Sequence, residues 1–368
     1  MKTLRRLVYG EMLTSVAFVA LGFLALFTFF DLVDEMQYIG KGPEKAYQLS
    51  HAVLYCFLRL PNHLYELFPI AVLIGTIAVM ARFAQSSEFT ILRTSGLGPW
   101  RALKTLLAMG LVFTAVTFAL GDYVAPFADR NAQLLKSRFL GQITVGQTGA
   151  WLKEKQRYSN YAVNVGALSA DASMRNIRVF EFDSQGKLLS TMQAESGRFA
   201  DDDAWVLQKA QRTEFSTGKD HASVETTAFP ADYHWPTTLS AEMVSVALLK
   251  PDRMGAVDLF QYIQHLDANG QSAQRYEIEF WRKVFYPLSC LVMVVLALPF
   301  AYLHFRSGSI TGYVFVGVMI GISFFLLNNV FGYMGNLNDW QPWLAAAAPG
   351  LLYSMLSLGA FGWLVLRQ

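Results

Sequence analysis

Cysteine is nearly missing from this chain. Only Cys56 and Cys290 occur, and both fall in or beside apolar stretches. The polar middle of the chain therefore holds no disulfide, and cysteine usage says nothing about its compartment. Charge is scarce too: 16% of residues are charged, against roughly 25% in soluble domains. Signatures of catalysis are also missing. No G-x-x-x-x-G-K-[ST] loop is present to cradle a nucleotide. The six histidines (His51, His63, His221, His234, His265 and His304) form no H-E-x-x-H or other paired metal spacing. There is no G-x-S-x-G elbow. Catalysis by this chain alone is not expected, nor is a cofactor or metal of its own, so any energy source comes from elsewhere. A net charge of +2 gives no reason to expect nucleic acid as a partner.

What the chain has is apolar length. Hydrophobic residues make up 53% of it. Six windows of about 20 residues are almost free of charge, as a bilayer core requires. The first runs from about Met12 to Phe30, after Lys2, Arg5 and Arg6, and closes on Asp31, Asp34 and Glu35. An amphipathic stretch from about Ser50 leads through Pro61 into the second, Leu64 to Met80, with Glu66 and Pro69 inside it and Arg82 after it. The third runs from Leu103 to Tyr123, with Asp122 and Pro126 expected to mark its exit. The fourth, Trp281 to Leu303, contains Pro287. The fifth, Ile310 to Phe331, carries Asn328 and Asn329, and the sixth fills Trp343 to Leu366. The first window lacks a small-residue cleavage pattern and is expected to stay as an anchor.

Between the third and fourth windows the texture becomes that of a soluble domain. It begins helically, with Arg130, Leu134 and Arg138 on one face. Strands are expected at Tyr158–Val165, Ile177–Phe182, Lys187–Ala194, Trp205–Phe215 and Ser223–Phe229, separated by turn signals such as Asp183-Ser184-Gln185-Gly186. An amphipathic helix follows, with Leu259, Ile263 and Leu266 inward and Asn269-Gly270 as its stop. Several short strands with few helices suggest a sandwich or open roll. The division expected is residues 1–127 (three spans), 128–270 (β domain with flanking helices) and 271–368 (three spans).

Short-loop charge sets the orientation. With the termini inside, the inner ends hold Lys2, Arg5, Arg6, Arg82, Arg93, Arg101, Lys104, Arg306 and Arg367 against Glu11 and Glu88. The short outer loops hold Lys41 and Lys45. Positive charge belongs inside, so the stretch after Arg82 is cytoplasmic. The strand-rich insert faces the other side, the periplasm in a cell with two membranes. The cytoplasmic stretch reads as one short helix: Ser86 and Ser87 cap it, Glu88 suits its positive end, and Gly96, Gly98 and Pro99 stop it. Phe89, Ile91 and Leu92 give it an apolar surface with no intramolecular place to hide. Two readings stand: a turn resting on lipid headgroups, or a plug inserted into a groove on a soluble partner. Glu66 is read as a solvated or snorkelling carboxylate, and Asn328 and Asn329 as bonds between helices. Arg130, Lys136 and Arg138 suit either lipid phosphates or ordinary headgroup anchoring.

Three segments carry a resemblance: SSEFTILRTSG at 86–96, the Ala-Pro at 125–126, and RYEIEFWRKVFYPLS at 275–289. With the layout of three spans, β domain and three spans, the whole chain resembles the LptF/LptG permease family of lipopolysaccharide export. WRKVFYPLS and the Phe331-Gly332 pair look more like the LptG branch. The resemblance implies a six-span α-helical membrane protein with a periplasmic β-jellyroll-like domain. It implies an LptF-like partner permease, an LptB-like ATPase dimer holding ATP and Mg, and an LptC-like anchored β protein. The implied role is extraction of lipopolysaccharide from the inner membrane and its transfer to a periplasmic β bridge. Residues 86–96 become a coupling helix seated in the ATPase, through Ser87, Glu88, Phe89, Ile91, Leu92 and Arg93. One departure stands out. The branch carries lysines near the outer end of the first span, suited to lipid phosphates. Here that end reads Asp31, Asp34, Glu35, Gln37 and Tyr38. Phosphate recognition is then expected at Lys41, Arg130, Lys136 or Arg138, or on the partner. Two rivals remain: a mechanotransmitting or signalling subunit that carries no lipid, and an ion-driven carrier using Glu66 and Asp31. The carrier reading predicts inverted repeats, and none is visible.

Overall fold

The computed structural model describes residues 2–41, 46–86, 99–140, 149–156, 159–168, 173–200, 204–217, 222–229, 232–240, 243–244, 251–302 and 310–366. Nine α-helices are described: α1 Lys2–Met36, α2 Leu49–Gln85, α3 Pro99–Ala119, α4 Ala125–Leu140, α5 Ala256–Ala268, α6 Gln274–Phe285, α7 Ser289–Ala297, α8 Ile310–Leu337 and α9 Pro342–Leu366. Among the described residues, six helical segments are long and apolar enough to cross a membrane. The chain divides into two compact units. One comprises Met1–Asp34, Cys56–Ala128 and Glu277–Gln368, the other Glu35–Tyr55 and Asp129–Tyr276.

The first unit is built around α2, whose most apolar window is 78% buried. Met12 and Val16 of α1, Leu73 and Ile77 of α2, Phe113 of α3, and Met293 and Val294 of α7 pack into its core. Gly75 lets α1 approach α2: a Cβ there would stand 2.8 Å from the Val16 backbone. Several helices outrun the expected windows. α2 starts at Leu49 and passes through Pro61 and Pro69 without a break. Each proline removes one ladder donor. Three residues before Pro69, the Tyr286 hydroxyl donates to the carbonyl of Glu66. Pro126, expected at the exit of the third span, does not interrupt the helix. A π-helical turn at Leu120–Val124 lets the helix run on through α4 to Leu140.

The second unit holds the antiparallel sheet between the third and fourth spans. Its strands are β1 Ala150–Lys155, β2 Asn160–Leu168, β3 Met174–Phe182, β4 Leu188–Ala200, β5 Ala204–Gln208, β6 Gln211–Thr217, β7 Ala222–Ala228 and β8 Tyr233–Pro236. Neighbours pair in sequence order from β1 to β5. The thirteen-residue β4 shares its far edge, with Ser190–Gln193 on β6 and Ser196–Ala200 on β5. The strand expected at Trp205–Phe215 is thus two strands, broken where Lys209 takes φ 51°. β8 then pairs with β5 and β7 with β6.

The buried face is layered across the strands. Ala150, Val165, Ile177 and Ala194 form one rung, and Leu152, Val163, Val179 and Met192 the next. The following rung is polar: Glu154, Tyr161, Glu181 and Ser190. Its carboxylates are tolerated because each is fully engaged. Glu154 accepts from the Thr237 hydroxyl at 2.6 Å and from the Thr238 amide at 2.8 Å. Glu181 accepts from Ser159, Tyr161, Ser190 and Arg212 at 2.7 to 3.2 Å. After the sheet in sequence, α5 buries Leu259, Tyr262 and Leu266 and stops at Gly270, φ 62°.

Acidification is expected to destabilise this unit. Burial raises the Glu181 carboxyl, but the Ser190 and Ser159 hydroxyls and Arg212 outweigh it and hold it below the usual 4.5. Burial pushes the His265 imidazole below its usual 6.5, with Glu154 opposing. For both groups the folded value lies under the unfolded one, so the unfolded chain binds more protons and stability rises with pH. His265 withdraws its share as pH falls below 6.5, and Glu181 withdraws its share below 4.5. Denaturant midpoints of the full chain, followed by fluorescence of Trp205 and Trp235, should fall between about pH 7.5 and pH 5. His265→Gln should flatten that fall, and a midpoint indifferent to pH would contradict the assignment.

Candidate functional site

Charged groups in an apolar frame are held only where partners satisfy them. In the first unit, Arg59 and His63 lie one turn apart on α2 and so share a face. Both reach Asp31 of α1: Arg59 at 3.1 Å from Oδ1, His63 Nε2 at 2.6 Å from Oδ2. The His63 ring also packs on Phe27 at 5.2 Å. Glu66 accepts from Asn62 at 2.9 Å in a half-buried setting. Asn329 accepts from Arg282 at 3.0 Å, a bond between helices of the kind expected for it. Asn328 is buried at 8% exposure.

In the second unit the bases proposed for lipid phosphate are partly engaged. Lys136 donates to buried Glu35 at 2.6 Å, and Tyr47 donates to the other oxygen of that carboxylate at 3.2 Å. The Lys136 ammonium also lies 3.9 Å from the Tyr38 ring centre and 4.8 Å from that of Tyr55, an aromatic cradle that favours a cation. Arg130 pairs with Asp258 of α5 at 3.3 Å. Neighbouring Asp129 takes Arg253 at 3.5 Å. Lys41 is exposed, 5.6 Å from the Tyr38 ring. The Arg138 side chain lies outside the described residues. Lys136 and Arg130 therefore serve two different carboxylates.

Ser87, Glu88, Phe89, Ile91, Leu92 and Arg93 lie outside the described residues. Their flanks are fixed. Arg82 pairs with Glu11 at 2.6 Å, and the Ser86 hydroxyl donates back to the Arg82 carbonyl at 3.0 Å, closing the end of α2. Downstream, α3 opens at Pro99 with Trp100 exposed.

A third feature was not singled out from the sequence. In the wide turn of the third span, the Ala125 amide donates to the Leu120 carbonyl, five residues back. The next amide would be that of residue 126, which is proline and has none. The Gly121 carbonyl is thereby left without its ladder donor. Lys283 of α6, 9% exposed, donates to it at 2.9 Å. The Tyr65 ring lies 5.5 Å from the same ammonium and packs against Gly121, where a Cβ would come within 2.6 Å of the ring. Tyr65 in turn packs on Tyr286, 5.2 Å between ring centres. The Ala-Pro pair and the WRKVFYPLS segment therefore meet at one bond. The available signal was a lone lysine beside a proline-broken apolar span.

Six spans with an antiparallel β domain set between the third and fourth define a polytopic membrane protein. Its buried Lys283 and His63 tie helices together. Residues 6–367 match the family model described as lipopolysaccharide export system permease LptF/LptG. The chain belongs to this family. It is 26% identical over 339 residues to the LptG permease protein of Escherichia coli strain K12, covering 91% of this chain and 90% of that one. It is 25% identical over 369 residues to LptG of Haemophilus influenzae, covering 100% and 99%.

Proposed function

We propose that this chain is the transmembrane permease subunit of an ATP-binding cassette exporter that takes lipopolysaccharide out of the inner membrane. The observation that carries the reading is the family match, unbroken from residue 6 to residue 367 through all six spans and the β domain. In this reading the termini are cytoplasmic, the β domain is periplasmic, and residues 86–96 couple to an LptB-like ATPase dimer. The ATPase, not this chain, binds ATP and Mg. An LptF-like permease completes the membrane unit, and an LptC-like anchored protein continues the β bridge.

Energetics require this division of labour. Each CH₂ moved from membrane to water costs ~0.8 kcal/mol. Exposing a lipid with several acyl chains costs on the order of tens of kcal/mol by the same increment. Extraction therefore needs a motor, and the chains need cover on both sides of the transfer. In their most apolar windows α1 and α8 are the least covered spans, 11% and 22% buried. These faces supply apolar surface for the second permease and for a lipid cavity between the two. The pairing of Asp31, and of Lys136 with Glu35, gives these charges structural tasks. Lys41, Arg138 or the partner are then the foremost places for phosphate, with Lys136 and Arg130, each paired with a carboxylate, behind them.

The test is reconstitution. The chain, co-expressed with the candidate partners and placed in proteoliposomes, should deliver lipopolysaccharide to a soluble acceptor only when ATP is hydrolysed. ATP turnover with the lipid left behind would favour the signalling reading and overturn this one.

A further inference from the structure

The buried bond between Lys283 and Gly121 has a consequence for transport. An interior ammonium is costly to place among apolar side chains. This one sits where the backbone lacks a donor, because Pro126 has no amide and the Ala125 amide is bonded to Leu120. π-helical turns are uncommon and weaker than the α ladder around them, since the widened ring leaves carbonyls misaligned. Here the turn is braced from outside its own helix. The brace comes from α6, where Arg282 holds Glu279 at 2.7 Å and Asn329 at 3.0 Å. The next turn holds α2 through Tyr286 and the Glu66 carbonyl. The third span is the helix by which the chain runs into the strand module, and α6 is the helix by which it returns.

We propose that Lys283 is a positioning residue of the transport cycle: its ammonium takes the place of the amide that Pro126 lacks and ties the third span to the fourth, so that these two helices move as one piece. The transport consequence rests on the export reading above. The tie itself does not, and the two are tested separately.

Two roles are combined in one side chain, and substitutions separate them. Lys283→Met removes both the donor and the tie. Pro126→Ala returns an amide that can reach Gly121 along the helix, without joining the two spans. Lys283→Arg keeps a cation able to donate. Each full-length variant is purified with its co-expressed subunits, and its melting temperature and ATP-driven lipopolysaccharide release are measured. The expected result for Lys283→Met is a melting temperature several degrees lower and at least a tenfold loss of release. The double variant Lys283→Met with Pro126→Ala should regain the melting temperature and still fail to release lipid. Lys283→Arg should retain most of both.

If the double variant stays as unstable as Lys283→Met, the Gly121 carbonyl is not what Lys283 serves. If the double variant releases lipid normally, the tie is not needed for transport. Either result overturns the proposal. Failure of the export reading looks different: the unmodified protein would release no lipid, while the pattern of melting temperatures would still report on the tie.

Discussion

Glu88→Lys abolishes lipid export while leaving the six spans in the membrane; that is the largest effect expected of any single substitution here. Residues 86–96 carry Glu88 beside Phe89, Ile91 and Leu92, and no G-x-x-x-x-G-K-[ST] sequence occurs in the chain. If the segment seats in an ATPase groove, Glu88 meets a base there, partly out of water. Removing one member of a desolvated charge pair costs ~2–5 kcal/mol, and reversing it adds repulsion. About 3 kcal/mol corresponds to a roughly 100-fold weaker association. Pull-down of the ATPase and lipid-stimulated ATP hydrolysis should fall together, with the amount of Glu88→Lys protein in the membrane unchanged. A variant that binds the ATPase and exports normally removes Glu88 from the coupling contact.

Lys136→Met strands a buried carboxylate. Glu35 is 4% exposed and is held by Lys136 and Tyr47. Breaking such a pair from one side leaves an uncompensated charge and costs ~3–5 kcal/mol. The variant should accumulate poorly and unfold at lower denaturant. Changing both partners, Lys136→Met with Glu35→Gln, should return most of that stability, because the charge is gone with its partner. The double variant also judges the phosphate role expected for Lys136. Stable protein with normal export means that Lys136 is structural. Stable protein with lost export means that its ammonium also meets the lipid.

The six spans were legible in the sequence because a bilayer excludes charge, and windows without charge are easy to see. Their ends were not legible. Pro126 was expected only to mark an exit, and nothing local shows that the helix continues through it, with a wide turn absorbing the missing amide and a lysine about 160 residues away in sequence supplying the donor. Strand positions were legible for β2 to β7 from alternation and turn residues. β1 was missed because its sequence, AWLKEK, places Glu154 on the buried face, where Thr237 and Thr238 satisfy it. β8 is four residues long and ends on Pro236. The ion pairs were the least legible part. Lys136 and Arg130 look like free bases in a local window, and their carboxylates lie 101 and 128 residues away. The resemblance located the lipid chemistry, but pairing in space decides which charges remain free for it.

In the export reading, lipid moves through this chain under force delivered at residues 86–96 and is received by the β domain. A photoreactive phenylalanine analogue placed at Leu152, Val179 or Met192 in turn, on the apolar face of the β domain, in membrane vesicles carrying all the subunits, distinguishes the two outcomes. Adducts with lipopolysaccharide are expected at one or more of these positions when ATP is supplied, and none when it is withheld or when Glu88 is reversed. Absence of adducts in vesicles that still hydrolyse ATP would contradict the export reading.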